Sequence, residues 1–403
     1  MLPEGWEICT VDQLFDVQLG KMLNQTAKEL HPQHQYLGNT NVKWGRFELL
    51  NLNTMFFNEK EKNKFTLVNG DIVMCEGGEV GRCAIWRDNR KDTYYQKALH
   101  RLRSKGKIHP EFFQNFMQHI AETKLLDDFT TRTSIAHLTR EKLLQLPVRL
   151  PPLPEQTKIA QILSTWDKAI TTTERLLANS QQQKQALMQQ LLTGQKRFAG
   201  FTEDWKHYAL GQLFSERNET NRPDLSLLSI TTEQGVIDRA DSGKKDTSSE
   251  DKSKYRRICP GDIGYNTMRM WQGVSGLSDK EGIVSPAYTI LQPTKLVDSK
   301  FASYLFKTPT LIHVFMRHSQ GLVSDTWNLK YEHFAKIKVF VPCAAEQQKI
   351  AQVLSTTDAE IANLQTQLAK LKLEKKALMQ QLLTGQRRVK LDDEVEAPTR
   401  RVG

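Results

Sequence analysis

The side chains best suited to chemistry in this sequence are hydrogen-bond donors, not nucleophiles. Arg269-Met270-Trp271-Gln272 sets a guanidinium, an indole and an amide inside a Gly-containing loop. Arg and Gln suit bidentate contacts to base edges, whereas hydroxyls and lysines suit phosphates. His100, Arg101, Arg103, Lys105 and Lys107 alternate with apolar or small residues, a spacing that predicts a strand with one basic face. Thr130-Thr131-Arg132-Thr133-Ser134 clusters hydrogen-bonding side chains. The candidate polyanion-contacting set is Arg82, Arg101, Arg103, Arg132, Thr133, Ser134, Arg269, Trp271, Gln272, Ser324 and Lys330. Each of these alone also reads as an ordinary solvated side chain; together, on a basic chain, they point to nucleic acid.

Catalytic patterns are scarce. There is no GxxxxGK followed by Ser or Thr to cradle a triphosphate. There is no Asp/Asn-Pro-Pro-Tyr/Phe segment of the kind an adenosylmethionine-dependent methylase needs; Pro151-Pro152 is followed by Leu153. GEVGR at 78–82 is a weak phosphate motif. Pro223-Asp224 followed by Glu250-Asp251-Lys252 has a nuclease-like spacing, but its second half lies in a Ser/Asp/Lys-rich loop unsuited to fixing a metal site. The ten histidines form no HExxH. No catalytic or metal-ligating residue is assigned, and no cofactor of the chain's own is expected.

The composition narrows the classes. At 403 residues, net charge +10 and pI near 9.2, the chain is long enough for two or three domains and favours a polyanionic partner. Five scattered cysteines without a CxxC disfavour a disulfide framework or zinc site. MLPEGWEICT lacks a signal pattern, and no apolar run reaches membrane-spanning length, so the cytoplasm is the expected location and no membrane partner is expected.

The elements that must position the candidate residues are written twice. EQTKIAQILSTWDKAI (155–170) returns as EQQKIAQVLSTTDAEI (346–361), and KQALMQQLLTGQKR (184–197) as KKALMQQLLTGQRR (375–388), both displaced by 191 residues. The 13 residues between the blocks retain only Leu177/Leu368 and Ala178/Ala369, so the ends are held in sequence and the middle in length. Alternating steps of four and three from Ile159 to Leu191, and from Ile350 to Leu382, predict two coiled-coil helices with polar centres. At ~1.5 Å per residue, 39 residues span about 58 Å.

Ahead of each helix lies a mixed region. Trp6 and Gln13-Leu14-Phe15 are echoed by Trp205 and Gln212-Leu213-Phe214, Gly70-Asp71-Ile72 by Gly261-Asp262-Ile263, and His137-Leu138 by Asn328-Leu329. Phe112, Phe113, Phe116, Met117 and Ile120 share one helical face and read as core. The predicted fold is mixed α/β: domains at 1–150 and 198–343, helices within 151–197 and 344–388, and a loosely ordered tail from Gln386, assigned as its own segment over 389–403. The segment 238–257 reads as a mobile loop. The short linker after Gly194 forces the helices antiparallel, giving a pseudo-twofold pair of globes held apart by a coiled coil. Facing positions then bring Lys184 towards Asp358 and Lys375 towards Asp167, either as ion pairs that set register or as lysines that snorkel outwards.

Two variable globular regions, each followed by a near-identical helix that opens EQxKIAQ and closes ALMQQLLTGQ, resemble the specificity subunit of type I restriction-modification systems. The resemblance covers essentially the whole chain and departs at Pro342-Cys343-Ala344-Ala345, where the first copy has Pro151-Pro152-Leu153-Pro154. It implies two target recognition domains, each reading half of a split double-stranded DNA site. It also implies helices that dock modification (methyltransferase) subunits, two of them, with restriction/translocase subunits joining. S-adenosylmethionine, ATP and Mg2+ would belong to those partners. The expected partner-contacting residues are Glu155, Gln156, Lys158, Gln189 and Gln190, with Glu346, Gln347, Lys349, Gln380 and Gln381. The competing reading is a coiled-coil assembly scaffold with protein-binding heads.

Overall fold

In the computed structural model, the four-three spacing resolves into two unbroken helices, Leu153–Leu191 and Ala344–Leu383. The structure describes residues 2–88, 92–123, 125–130, 136–231, 234–243, 250–323 and 326–391. Pro154 lies in the first turn of the first helix, where a missing N–H is tolerated. Each helix is followed by a glycine in the left-handed region, Gly194 (φ 74°) and Gly385 (φ 77°), the conformation that ends helices cheaply only without a Cβ. On the second helix, seam residues Ile350, Leu354, Thr357, Lys375 and Leu382 are buried, and Ile361, Leu364, Leu368, Leu371 and Leu378 are partly so. Most intervening positions are exposed.

The chain divides into two units, Met1–Glu174 with Gln367–Gly403, and Arg175–Thr366. In each, a recognition-sized domain packs with a segment of both helices, and the two segments run antiparallel. In the first unit Glu155 meets Arg388, Asp167 meets Lys375 and Glu174 meets Lys372. In the second, Ser180 meets Glu360, Lys184 meets Asp358 and Arg197 meets Glu346. Both expected Lys–Asp pairs form as ion pairs. Lys375 Nζ is 2.6 Å from Asp167 Oδ1 and Lys184 Nζ is 2.5 Å from Asp358 Oδ1. A residue of each domain's core helix joins its pair. Gln118 Oε1 accepts from Lys375 at 3.3 Å, and the Tyr304 hydroxyl donates to Asp358 at 2.6 Å.

The two domains share one frame. In the first, strands order as Phe15–Leu19, Leu99–Ser104, Ile72–Cys75 and Cys83–Ile85; in the second as Phe214–Glu216, Tyr288–Pro293, Ile263–Asn266 and Ser275–Leu277, with every neighbour antiparallel. The strand before each sheet pairs with the strand that feeds the long helix: Glu7–Thr10 with Pro147–Leu150, and Lys206–Ala209 with Lys338–Val341. The repeated Gln opens the single helical turn between, since Gln13 accepts from Thr10 N at 2.9 Å and Gln212 from Ala209 N at 2.8 Å. Phe112, Phe113, Phe116, Met117 and Ile120 of helix Pro110–Glu122 are core, as their spacing requires. The second domain replaces that helix with two shorter ones, Ser299–Leu305 and Pro309–His318.

The repeated Gly-Asp-Ile is a turn whose Asp and Ile are buried. Gly70 and Gly261 sit at φ 92° and 90°. Asp71 and Asp262 accept from the amides of Val68 and Cys259, each at 2.8 Å. Each carboxylate also takes a two-pronged arginine, Arg103 in the first domain and Arg217 in the second, and each raises its arginine's pKa. Arg103 lies on strand Leu99–Ser104 whereas Arg217 follows strand Phe214–Glu216, so an identical motif is neutralised by non-equivalent residues.

Outside this frame the domains diverge. The first adds a three-stranded sheet, Asn53–Phe56, Gln33–Leu37 and Tyr94–Tyr95. The second adds the hairpin Leu228–Thr231/Gly235–Asp238 and the pair Arg256–Ile258/Gly282–Val284. Within the expected loop 238–257, Arg239–Ser242 is a short helical turn and Arg256–Ile258 begins at its far end; residues 244–249 lie outside the described residues. The tail expectation is corrected over 386–391, because Arg388 grips Glu155 and Val389 packs on the first core. Residues 392–403 lie outside the description.

Candidate nucleic-acid interface

Each sheet presents one loop at an equivalent place. In the first domain it follows strand Ile72–Cys75, where Glu76 N donates to Ala98 O (2.9 Å) and Glu76 O accepts from Leu138 N (2.7 Å). In the second it follows Ile263–Asn266, where Thr267 N donates to Ala287 O (3.0 Å) and Thr267 O accepts from Leu329 N (2.8 Å). The main-chain fixture is therefore the same, and each loop sits beside the His137-Leu138 or Asn328-Leu329 position. Arg132, Thr133, Ser134 and Ser324 lie outside the described residues.

In the second domain the loop carries what the sequence reading expects. Met270–Gln272 forms one tight helical turn with Arg269 at its start. Arg269 and Gln272 are exposed, and Arg269 Nη1 lies 3.4 Å from Gln272 Oε1. Trp271 is half-buried, donates from Nε1 to Met268 O at 3.0 Å, and meets Trp327 edge-on with ring centroids 5.3 Å apart. Lys330 is exposed beyond Trp327. The result is an open surface of guanidinium, amide and indole rings held on backbone, as base-edge and stacking contacts need. Trp327 was not singled out by sequence reasoning; a lone indole in a polar stretch next to Asn328-Leu329 was the available signal.

The first domain corrects the sequence reading. Leu99–Ser104 is a strand, but it lies second in the sheet with neighbours on both sides. His100 is fully buried with Nε2 3.0 Å from Leu138 O, and burial lowers its pKa. Arg101 is buried against Asp16 at 2.5 Å, and Arg103 is committed to Asp71. The expected basic face is thus spent on ion pairs within the domain, because carboxylates on and beside the two neighbouring strands, Asp16 and Asp71, lie within reach of Arg101 and Arg103. Arg82 is also turned inwards. It donates to Asn39 O (3.0 Å) and Glu79 Oε2 (2.8 Å) and so braces the loop it ends.

Four of the ten expected partner-contacting residues are corrected as well. Gln156 Oε1 accepts from His109 N (2.8 Å), while its Nε2 donates to Lys107 O and Pro151 O. Gln347 does the same with Asp298 N (2.9 Å), Leu296 O and Pro342 O. Glu155 is buried between Arg388 and the Trp6 indole, and Glu346 is held by Arg197. These repeated side chains join each helix to its own domain, and their burial removes them from any partner surface. Gln189, Gln190, Lys349, Gln380 and Gln381 are exposed and Lys158 is half-exposed.

Among the described residues no group of three or more His, Cys, Asp or Glu could hold a metal ion. Asp224 of the nuclease-like spacing is paired with Arg222, and Asp251 with the amide of Ser253. No helix among the described residues is long and apolar enough to cross a membrane.

The family model described as the type I restriction modification DNA specificity domain matches twice, at residues 3–179 and 202–373. The MjaVIII type I restriction enzyme specificity subunit of Methanocaldococcus jannaschii is 23% identical, over 96% of this chain and 94% of its own. The putative MjaX specificity subunit of the same organism is 24% identical over 52% of this chain and 53% of its own. Among solved structures, the S subunit of a type I system from M. genitalium aligns over 95% of this chain and 96% of its own, with TM-score 0.60 at 15% identity. The corresponding subunit from Thermoanaerobacter tengcongensis aligns over 95% and 98%, with TM-score 0.51 at 15% identity. With two copies of one frame, each matching the same domain model, the chain belongs to the type I restriction-modification specificity-subunit family and carries two recognition domains.

Proposed function

We propose that the chain reads a bipartite duplex DNA sequence and directs adenine methylation and cleavage by partner subunits, without catalysing either. The observation that carries this reading is the shared fixture at Glu76 and Thr267, which presents two loops of unrelated sequence from equivalent places on the two domains' equivalent sheets. A constant frame with exchanged loops is suited to reading two different half-sites. In the second domain Arg269, Trp271 and Gln272 contact bases, and Lys330 and Ser324 contact the backbone. In the first, Arg132, Thr133 and Ser134 take the equivalent role. The net charge of +10 supplies affinity that falls with salt.

The helices set the gap between half-sites. Uninterrupted spans of 39 and 40 residues are about 58–60 Å long at ~1.5 Å per residue. That is ample for half-sites separated by one DNA turn of about 34–36 Å. Two modification subunits dock on the exposed Gln189, Gln190, Lys349, Gln380 and Gln381 and on Lys158, and restriction/translocase subunits join them. S-adenosylmethionine, ATP and Mg2+ belong to these partners. The complex acts in the cytoplasm, where the chromosome is. Mapping methylated adenines in a host carrying the chain and its partners tests this reading. A four-residue insertion near Ala178 should change the gap and leave both half-sites intact; an unchanged gap refutes the ruler. Salt-insensitive or absent duplex binding would favour a protein scaffold instead.

A further inference from the structure

The Arg269–Gln272 turn is pinned from below by Met270, which is buried in the core of the second domain, and its stem is held separately. Asn266 N donates to Val274 O (3.1 Å), Gly273 N to Met270 O (2.8 Å) and Val274 N to Arg269 O (3.3 Å), which closes the loop on itself. The outward carbonyls of Gly273 and Ser275 are then left for another partner. That partner is Lys307, which follows the core helix Ser299–Leu305 and donates from Nζ to Gly273 O at 2.7 Å and to Ser275 O at 2.8 Å. Among the described residues Lys307 makes no ion pair. A half-buried ammonium held only by carbonyls is costly in stability; burial lowers its pKa to about 8. Gly273, at φ 75°, completes the fit, since a Cβ there would meet Ile312 at 2.7 Å.

We infer that Lys307 is the positioning residue of the second domain's reading loop, fixing the Arg269–Gln272 turn by clasping the two carbonyls of its stem. The inference rests on the proposed DNA-reading function for its purpose, and the loop-holding itself is measurable without DNA. The first domain meets the same need with Arg82, which braces the equivalent loop through Asn39 and Glu79. The two cations come from unrelated positions in the sequence, so each loop carries its own brace.

Two readouts on the full-length chain test this with Lys307→Met, which keeps the stem's bulk and removes the donors, and Lys307→Arg, which restores donors. Amide hydrogen exchange should quicken about tenfold or more over 267–275 in Lys307→Met, stay unchanged over 76–82, and return most of the way in Lys307→Arg. On a duplex carrying the methylation-mapped site, with the partner subunits present, discrimination at the half-site read by the second domain should fall about tenfold. Discrimination at the other half-site should hold. Unchanged exchange over 267–275, or equal quickening throughout the second domain, overturns the inference. If exchange behaves as expected but the wild-type chain shows no sequence discrimination, loop positioning stands and the DNA-reading proposal falls.

Discussion

Arg388 grips Glu155 with two nitrogens, Nε to Oε1 at 2.7 Å and Nη2 to Oε2 at 2.8 Å, across 233 residues of sequence. Arg197 holds Glu346 in the same manner in the second unit. Each carboxylate is buried while its arginine is partly exposed, 45% for Arg388 and 27% for Arg197. Removing the arginine therefore strands a buried charge, whereas removing both members does not. Arg388→Met should lower the melting temperature by several degrees, and Glu155→Gln combined with Arg388→Met by less. Thermal denaturation of the singles and the double checks this, and an additive double would contradict it.

Gln156 and Gln347 should be among the most sensitive polar residues in the chain. Each is fully buried and satisfies one amide and two carbonyls of its domain. Truncation to Ala leaves those groups without partners, at about 2–4 kcal/mol by the cost of unsatisfied buried groups. Chemical denaturation of Gln156→Ala and Gln347→Ala measures it, and exposed Gln189→Ala serves as the silent control.

Arg82 and Arg269 should separate stability from recognition. Arg269→Ala leaves the melting temperature unchanged and relaxes specificity at one base position by about 1–3 kcal/mol. Arg82→Ala, by contrast, loosens its loop and lowers the melting temperature first. Melting curves and binding to single-mismatch duplexes distinguish them, and matching profiles for the two variants would contradict the assignment.

These contrasts show what was legible in the sequence. The helices were, because a four-three seam leaves a signature that tertiary structure can only confirm. Connectivity brings Lys184 towards Asp358 and Lys375 towards Asp167 but leaves pairing and snorkelling equally open; the structure pairs them. Glu155 and Gln156 were visible as repeated residues, but repetition marks a joint and a docking surface alike; only burial separates the two. Arg101 and Arg103 misled for a related reason. Alternation identifies a strand and says nothing of how many neighbours it has, and the acids that neutralise them, Asp16 and Asp71, lie far off in sequence. Lys307 carried no local signal, because its carbonyl partners are backbone.

The first domain should weaken in mild acid. Burial depresses the pKa of His100 in the folded state, so the unfolded chain binds more protons as pH falls below the ordinary histidine value of about 6.5. Stability is complete above that value and is lost progressively beneath it. His119 on the core helix is depressed by burial too and adds to the loss. Melting temperatures at pH 7.5 and 5.5 should differ more for the wild type than for His100→Gln, whose amide can still donate to Leu138 O.

The buried glutamines at the helix starts have a geometric consequence. Because Gln156 and Gln347 fasten the first turn of each helix to its domain through three bonds apiece, a domain cannot swivel about its own helix axis. Any residue added to a helix therefore advances its end by about 1.5 Å and also turns it by about 100°. Lengthening and rotation come as a single screw step. Insertions of seven residues, close to two whole turns, nearly restore the original bearing, and other lengths re-aim whatever the helix carries.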